Sequence, residues 1–409
     1  MKYIYTYIIS CIAFLFSIAL LNWFIDPFGM FWSPQIKGIN QIKTESGKRS
    51  RISKAYQVNN TNLQVLIVGN SRVEMGLNPS SKYFLEKKVY NQGMPGAGVS
   101  MQINYAIDAI ANNTDIERLL VGVDFLDFLL SEQEVANFKN KQSNPTKPGY
   151  IFRLRSQDNN EKTAALFRLK EKAAMIFSLD ALSASINTIF KQKAMASNIN
   201  QQGFNEPLSY IDIMNSEGIK PLFRQKLQEI SARLTNKDWK IKAQKSFPFS
   251  PTFKHLGRLI TVANKHDIKI IFFINPYHYS YLHTLADNNQ WNKFELWKQT
   301  LVQYLNTTQG ANFVLWDFSG TNEFVNEKVP LATPKKLMKW FWEPAHYRES
   351  LGDLMLMNLL SPLDEQSTGF GVQLNENNVG MQLIANKKGL QKSKPQWDTL
   401  QQTLQHDKR

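Results

Sequence analysis

Residues 268–275, IKIIFFIN, are apolar at nearly every position. A strand with no polar face must be covered on both sides, as in a buried parallel sheet. Three more runs share this character: LQVLIVG at 63–69, ERLLVGVD at 117–124 and NFVLWDF at 312–318. A shorter one, KKVYN, lies at 87–91. Between them, stretches such as SMQINYAIDAIANN (100–113) and NKFELWKQTLVQYL (292–305) space their apolar residues like helices. Ser250 followed by Pro251 predicts a helix start, with serine as cap and proline in the first turn. Strands alternating with helices predict a three-layer α/β fold on a five-stranded parallel sheet.

Residues 3–25 carry no charge and are rich in Ile, Leu and Phe, which meets the roughly 20 apolar residues needed to span a bilayer. A removable signal peptide has a shorter apolar core and a small-residue exit; no such exit precedes Asp26. Residues 1–25 are therefore expected to be an uncleaved transmembrane anchor, with Trp23, Phe28 and Trp32 near the interface. Lys2 favours a cytoplasmic amino terminus, against Lys37, Lys43, Lys48 and Arg49 on the far side. Long domains translocate largely regardless of charge, so the body is expected to be extracytoplasmic, in a periplasm or at the cell surface.

Residues 26–60, polar and basic, are expected to form a juxtamembrane stalk or an outer layer of the domain, and 61–365 the main domain. The βα rhythm breaks at about 131–245. There EKTAALFRLKEKAAMIFSL (161–179) and KPLFRQKLQEISARL (220–234) have helical character, with loops at 139–149 and 198–207. This reads as a helical insertion: a lid, a substrate platform or an ordinary packing subdomain. Residues 366–409, rich in Gln, Asn and Lys, are expected to be a peripheral tail.

The net charge of +14 favours anionic surroundings such as acidic glycans or phospholipid head groups. The cations are scattered, without a basic helix, zinc spacing or RNA-binding motif, so no nucleic acid partner is expected. Cys11 is the single cysteine, which excludes an internal disulfide. GMPGAG (93–98) has its glycines in the wrong order for a dinucleotide fingerprint, and no phosphate-binding P-loop occurs. His278 and His283 are badly spaced for a shared metal. Neither a metal nor a cofactor is expected.

Two segments carry chemistry. In VLIVGNSRVEMG (65–76), Ser71 stands where the chain turns at the carboxyl end of a strand, where open α/β sheets keep their sites. In FWEPAHYRE (341–349), His346 follows Glu343 by three residues, with Pro344 stiffening the turn. That spacing lets the carboxylate hold one imidazole nitrogen while the other points elsewhere, as a serine nucleophile requires of its base.

The order of these segments resembles the SGNH hydrolase superfamily. GNSR (69–72) resembles its first block, usually Gly-Asp-Ser. YNQGMPGAG (90–98) resembles the second, whose oxyanion-binding glycine falls at Gly96. VGVDFLDF (121–128) stands where the third block has Gly-x-Asn, placing Asp124 at the asparagine position. EPAHYR (343–348) stands for the fifth block's Asp-x-x-His. The amino-terminal anchor, WDFSG (316–320) and HYRESLGDL (346–354) are also similar to membrane-anchored SGNH-like proteins of bacterial cell-envelope polysaccharide O-acetylation. The resemblance covers about 61–130 and 250–362.

It implies a flavodoxin-like SGNH domain with Ser71 as nucleophile, His346 as base and then acid, Glu343 as its orienter, and the N–H groups of Ser71 and Gly96 on the oxyanion. The implied function is an extracytoplasmic serine esterase or O-acyltransferase, of O-acetyl groups, acting on a cell-envelope or exopolysaccharide. An acyl donor or an acyl-transferring protein of the inner membrane would be its partner. Two departures stand out. Glutamate for aspartate at 343 is mild. Aspartate for asparagine at 124 is serious, because one oxyanion donor is worth roughly 2.7–4 kcal/mol and an ionised carboxylate cannot donate. Three alternatives stay open: a protonated Asp124, donation by Asn70 or Asn91 instead, or a catalytically silent SGNH-like scaffold that binds glycan or polysaccharide-assembly proteins.

Overall fold

In the computed structural model the described residues are 2–140, 148–156, 161–192, 198–235, 238–241, 250–308, 312–333, 335–360 and 369–406. The loop expected at 139–149 and the domain limit at 365 fall largely outside them.

The strands are β1 (Val65–Val68), β2 (Val89–Asn91), β3 (Arg118–Val123), β4 (Asn198–Ile199), β5 (Asn205–Glu206), β6 (Lys269–Ile274), β7 (Phe313–Asp317) and β8 (Val372–Gln373). The main sheet runs β2-β1-β3-β6-β7-β8, and its first five strands, all expected from the sequence, are parallel. β8 joins antiparallel to β7; at two residues it is too short to leave a pattern in the sequence. β4 and β5 form a separate small hairpin.

Helices α1 (Lys2–Ile25), α2 (Ser50–Gln57), α3 (Ser71–Gly76), α4 (Val99–Asn112), α5 (Glu132–Asn140), α6 (Glu161–Phe177) and α7 (Leu179–Phe190) occupy the first half. α8 (Leu208–Ser216), α9 (Ile219–Leu234), α10 (Pro251–Lys265), α11 (Tyr279–Asp287), α12 (Trp291–Asn306), α13 (Glu349–Leu360) and α14 (Val379–His406) complete the second. Ser250 caps α10 by accepting from the Thr252 N–H at 3.1 Å, with Pro251 in its first turn.

Strand residues alternate between two apolar layers. Leu66, Leu119, Ile270 and Phe272 pack with Ile103 of α4, Leu256 of α10 and Leu301 of α12. Ile67, Leu120, Ile271 and Phe273 pack with Phe223 of α9, Met355 of α13 and Trp397 of α14. Both faces of the sheet are thus covered, which is why its strands read as apolar throughout.

Three regions differ from their sequence reading. Residues 26–60, expected as a stalk or an outer layer, fold onto the domain and form no free stalk: Lys43 and Lys54 are wholly buried, and Asp26 accepts N–H bonds from Met30, Phe31 and Trp32. The segment expected to be a peripheral tail supplies β8 and α14, whose Trp397, Leu400 and Leu404 are buried in the core. The loop expected at 198–207 is the β4–β5 hairpin. α1 is long and apolar enough to cross a membrane.

Candidate active site

In the order β2-β1-β3, chain direction across the sheet reverses between β1 and β3, and ligands of such sheets bind at the carboxyl ends of these strands. After β1 come Gly69 and Asn70, and the Asn70 Oδ1 accepts from the Arg72 N–H at 3.0 Å, capping α3. Ser71 is therefore fixed as the first residue of a helix, at the open end of the sheet.

The histidine arrives on a hairpin. Phe341 and Tyr347 pair as an antiparallel bridge, and the Trp342 N–H donates to the His346 carbonyl at 2.9 Å. Glu343 and His346 lie within the turn so closed. The Ser71 Oγ is 2.8 Å from His346 Nε2. His346 Nδ1 contacts the Glu343 carboxylate, whose other oxygen accepts from the Ala345 N–H at 3.0 Å. Glu343 is 1% exposed. Burial alone would raise its pKa; the charge and hydrogen bond of His346, the Lys226 charge and the Ala345 N–H outweigh it and hold the carboxyl below its ordinary value. Close helix approach brings the two parts together. A Cβ on Gly352 of α13 would stand 1.8 Å from the Gly76 carbonyl of α3, and one on Gly76 would strike the Tyr347 ring. A side chain at either glycine would push the serine and histidine elements apart.

Asp124 is not a free carboxylate facing the reacting atoms. It caps the short 3-10 turn Phe125–Phe128 by accepting from the Leu126 N–H at 3.1 Å, and it forms a buried ion pair with Arg72. Arg72, next to Ser71, also donates from Nε to the Ala345 carbonyl at 2.7 Å. Its guanidinium lies over the rings of Tyr277 (4.7 Å) and Tyr281 (4.9 Å). One side chain thereby joins α3, the end of β3 and the histidine hairpin.

Asn91 cannot take the place of an oxyanion donor. Its amide donates to the carbonyls of Val73 and Leu77, both at 2.8 Å, and its Oδ1 accepts from the Gly93 N–H. Asn70 has its Oδ1 engaged in the cap and donates one amide proton to Asp127 at 3.2 Å. Burial raises the Asp127 pKa, opposed by Arg72 and the Asn70 bond.

Gly96 has φ +62°, a left-handed conformation suited to glycine, and lies exposed on the β2–α4 loop. Among the described residues, neither its N–H nor that of Ser71 has an acceptor in the protein. The loop is braced from beneath. Lys54 of α2 donates to the Gly93 carbonyl and to Glu74 of α3 (2.8 Å), and Asn205 donates to the other Glu74 oxygen. Burial pushes the Lys54 pKa down against the pull of Glu74.

Beside this loop, Arg51 donates to the Pro95 carbonyl at 2.6 Å. It borders a cleft of about 470 Å³ with Lys48, Arg49, Arg153, Tyr105 and Tyr150 in its wall. The insertion also reaches the site, since the ring of Tyr210 from α8 sits 6.5 Å from that of His346.

The other histidines of the 278–283 segment are packing residues. Burial pushes His278 down to about 4, and it bonds Ser280 and the Glu327 carbonyl. His283, also pushed down to about 4, stacks on Trp397. Among the described residues no group of three or more His, Cys, Asp or Glu side chains could hold a metal.

The structure brings the expected Ser71, His346 and Glu343 together, and sequence reading missed Arg72, Lys54, Arg51 and Tyr210. An available signal for Arg72 was a cation next to the serine at the end of one apolar strand, with Asp124 ending another: two charges at a buried edge need each other. Compared with known proteins, the chain matches no family model and no curated protein sequence.

Proposed function

We propose that this chain is an SGNH-type serine esterase or O-acyltransferase, moving acetyl groups on a cell-envelope polysaccharide, anchored by α1 with its domain outside the cytoplasm. The observation that carries the reading is the 2.8 Å contact of the Ser71 hydroxyl with His346, itself held by the buried Glu343. With the Nδ1 proton directed at Glu343, Nε2 is left as acceptor for the serine proton.

The Ser71 oxygen bonds to the carbonyl carbon of the acyl ester as its proton passes to His346 Nε2. The C–O bond to the leaving alcohol breaks, and that oxygen takes the proton from His346. A second hydroxyl, from water or a sugar, then gives its proton to His346 and bonds to the acyl carbon; Ser71 leaves and is reprotonated. Water makes the product a carboxylic acid, and a sugar makes it a new ester. The Ser71 and Gly96 N–H groups are the donors available to the oxyanion.

The basic cleft beside Pro95, with two tyrosines in its wall, suits an acidic glycan chain. The silent-scaffold alternative drew its support from the donor missing at Asp124; with that residue paired to Arg72, the enzyme reading leaves the oxyanion to the Ser71 and Gly96 N–H groups alone. The test uses the full chain in detergent with p-nitrophenyl acetate. Wild type is expected to release p-nitrophenol, and Ser71→Ala, with an unchanged circular dichroism spectrum, to fall to background. Equal rates for the two proteins would end the enzyme reading.

A further inference from the structure

Helices α6 and α7 are two arms of an elbow bent by 48° at Ser178, and together they are apolar and long enough to pass as a broken membrane span. Each is apolar on two faces. Inward, Ala164, Met175, Ala181 and Ala184 are buried. Outward, Leu166 (53% exposed), Leu169, Phe177, Leu179 (80%), Ile186 and Phe190 (82%) are exposed among the described residues. The spacings 166, 169, 177 and 179, 186, 190 each follow one helical face. A row of six large apolar side chains is not an ordinary soluble surface.

The anchor helix says what covers it. Residues 2–17 of α1 are exposed along their whole length, which is about 24 Å at 1.5 Å per residue. The uncharged run of residues 3–25 is about 35 Å long as a helix, against a hydrocarbon core of about 30 Å, so a bilayer matched to that run takes in the level of Asn22. At that level α1 meets the elbow. Asn22 donates to the Ile176 carbonyl at 2.7 Å and accepts from the Ser185 hydroxyl at 2.8 Å. The bend and its apolar row therefore stand where acyl chains give way to head groups. Residues 161–192 hold five Lys or Arg against three Asp or Glu, the balance that suits an anionic lipid surface.

We infer that the α6–α7 elbow is a second membrane contact, lying in the lipid interface beside α1. The inference rests on α1 spanning the bilayer. Its consequence is a fixed catalytic orientation. α7 is tied to the start of α2 by the Arg49–Asp180 pair, and two residues on, Arg51 holds the Pro95 carbonyl of the Gly96 loop. Glu171 of α6 pairs with Arg153 in the wall of the same cleft. The cleft would then stand at a set height above the membrane, within reach of a lipid-borne acyl donor or glycan.

The test places a fluorophore on single cysteines in the full chain, reconstituted in vesicles of phosphatidylethanolamine and phosphatidylglycerol carrying spin-labelled lipid. The native Cys11 reports on α1. In a Cys11→Ser background, Leu179→Cys and Phe190→Cys report on the elbow, and Ile384→Cys on the exposed face of α14. Cys11 should be quenched by label deep in the acyl chains. The two elbow positions should show blue-shifted emission and a comparable loss of fluorescence with label near the head groups, and Ile384→Cys neither. Quenching at Cys11 with none at the elbow would overturn the elbow contact alone. No quenching at Cys11 would overturn the anchor as well. Blue-shifted elbow emission without lipid quenching would mean that protein, a second copy included, covers the row.

Discussion

Around Ser71 the side chains that position the reacting groups are held by specific polar partners: Asn70 by the helix cap, Glu343 by His346 and the Ala345 N–H, Arg72 by Asp124 and the Ala345 carbonyl. Along the outer face of α6 and α7 the six large apolar residues have no polar group to satisfy and stand exposed among the described residues. The first arrangement fixes atoms to within tenths of an ångström, as proton transfer between oxygen and nitrogen requires. The second needs only apolar area at the right height. A single substitution should therefore be decisive at the sheet edge, whereas at the elbow effects should accumulate gradually.

The largest effect should come from Ser71→Ala and His346→Ala, each lowering ester turnover by about four orders of magnitude or more. The double variant should be little worse than either single one, because the pair acts as a unit. Additive losses, measured on p-nitrophenyl acetate, would mean that the two residues do not share a step.

Next is the pair of Arg72 and Asp124, beside Ser71. Arg72→Met leaves Asp124 buried without its cation, which costs about 3–5 kcal/mol, to be read from a urea unfolding curve. Asp124→Asn should lower both stability and activity, since it weakens the tie among α3, β3 and the histidine hairpin. A rise in activity would mean that the carboxylate hinders the oxyanion.

The effect of pH should be smaller. Glu343 holds its carboxyl below the ordinary 4.5 in the folded chain, so the folded state binds that proton less readily than the unfolded one. Its stabilisation is complete above that ordinary value and is lost as pH falls beneath it toward the folded value. The acid limb of the stability curve should shrink in Glu343→Gln, and an identical limb would place the dependence elsewhere.

Smallest should be Arg51→Glu, which reverses one exposed charge beside the Pro95 cleft. It should weaken binding of an acidic glycan about two- to fivefold, the range of a surface ion pair, as titrated by calorimetry. Equal affinity would remove the cleft from the substrate path.

The parallel strands were legible because each is covered on both faces, so IKIIFFIN and VLIV could not have been surface segments. α14 was not, because its buried Trp397, Leu400 and Leu404 are separated by Gln, Asp and Thr and its core face is narrow. The serine, histidine and glutamate were legible from local signals, a strand-end turn and an E-P-A-H spacing. What lies between them was not. The stretch between Arg72 and Asp124 carries no mark of their pairing, nor does anything join Lys54 to Glu74 and Gly93 before the chain is folded. Such contacts are set by which strand ends become neighbours, and order along the chain does not reveal that.

The most direct test is a fluorophosphonate probe on the full chain, with the labelled peptide identified by mass. An activated serine should carry the phosphonyl group at Ser71, and His346→Ala should lose it, because without the base the hydroxyl is an ordinary alcohol. Labelling that is absent from the wild type, or unchanged in His346→Ala, would contradict a working partnership between the two residues.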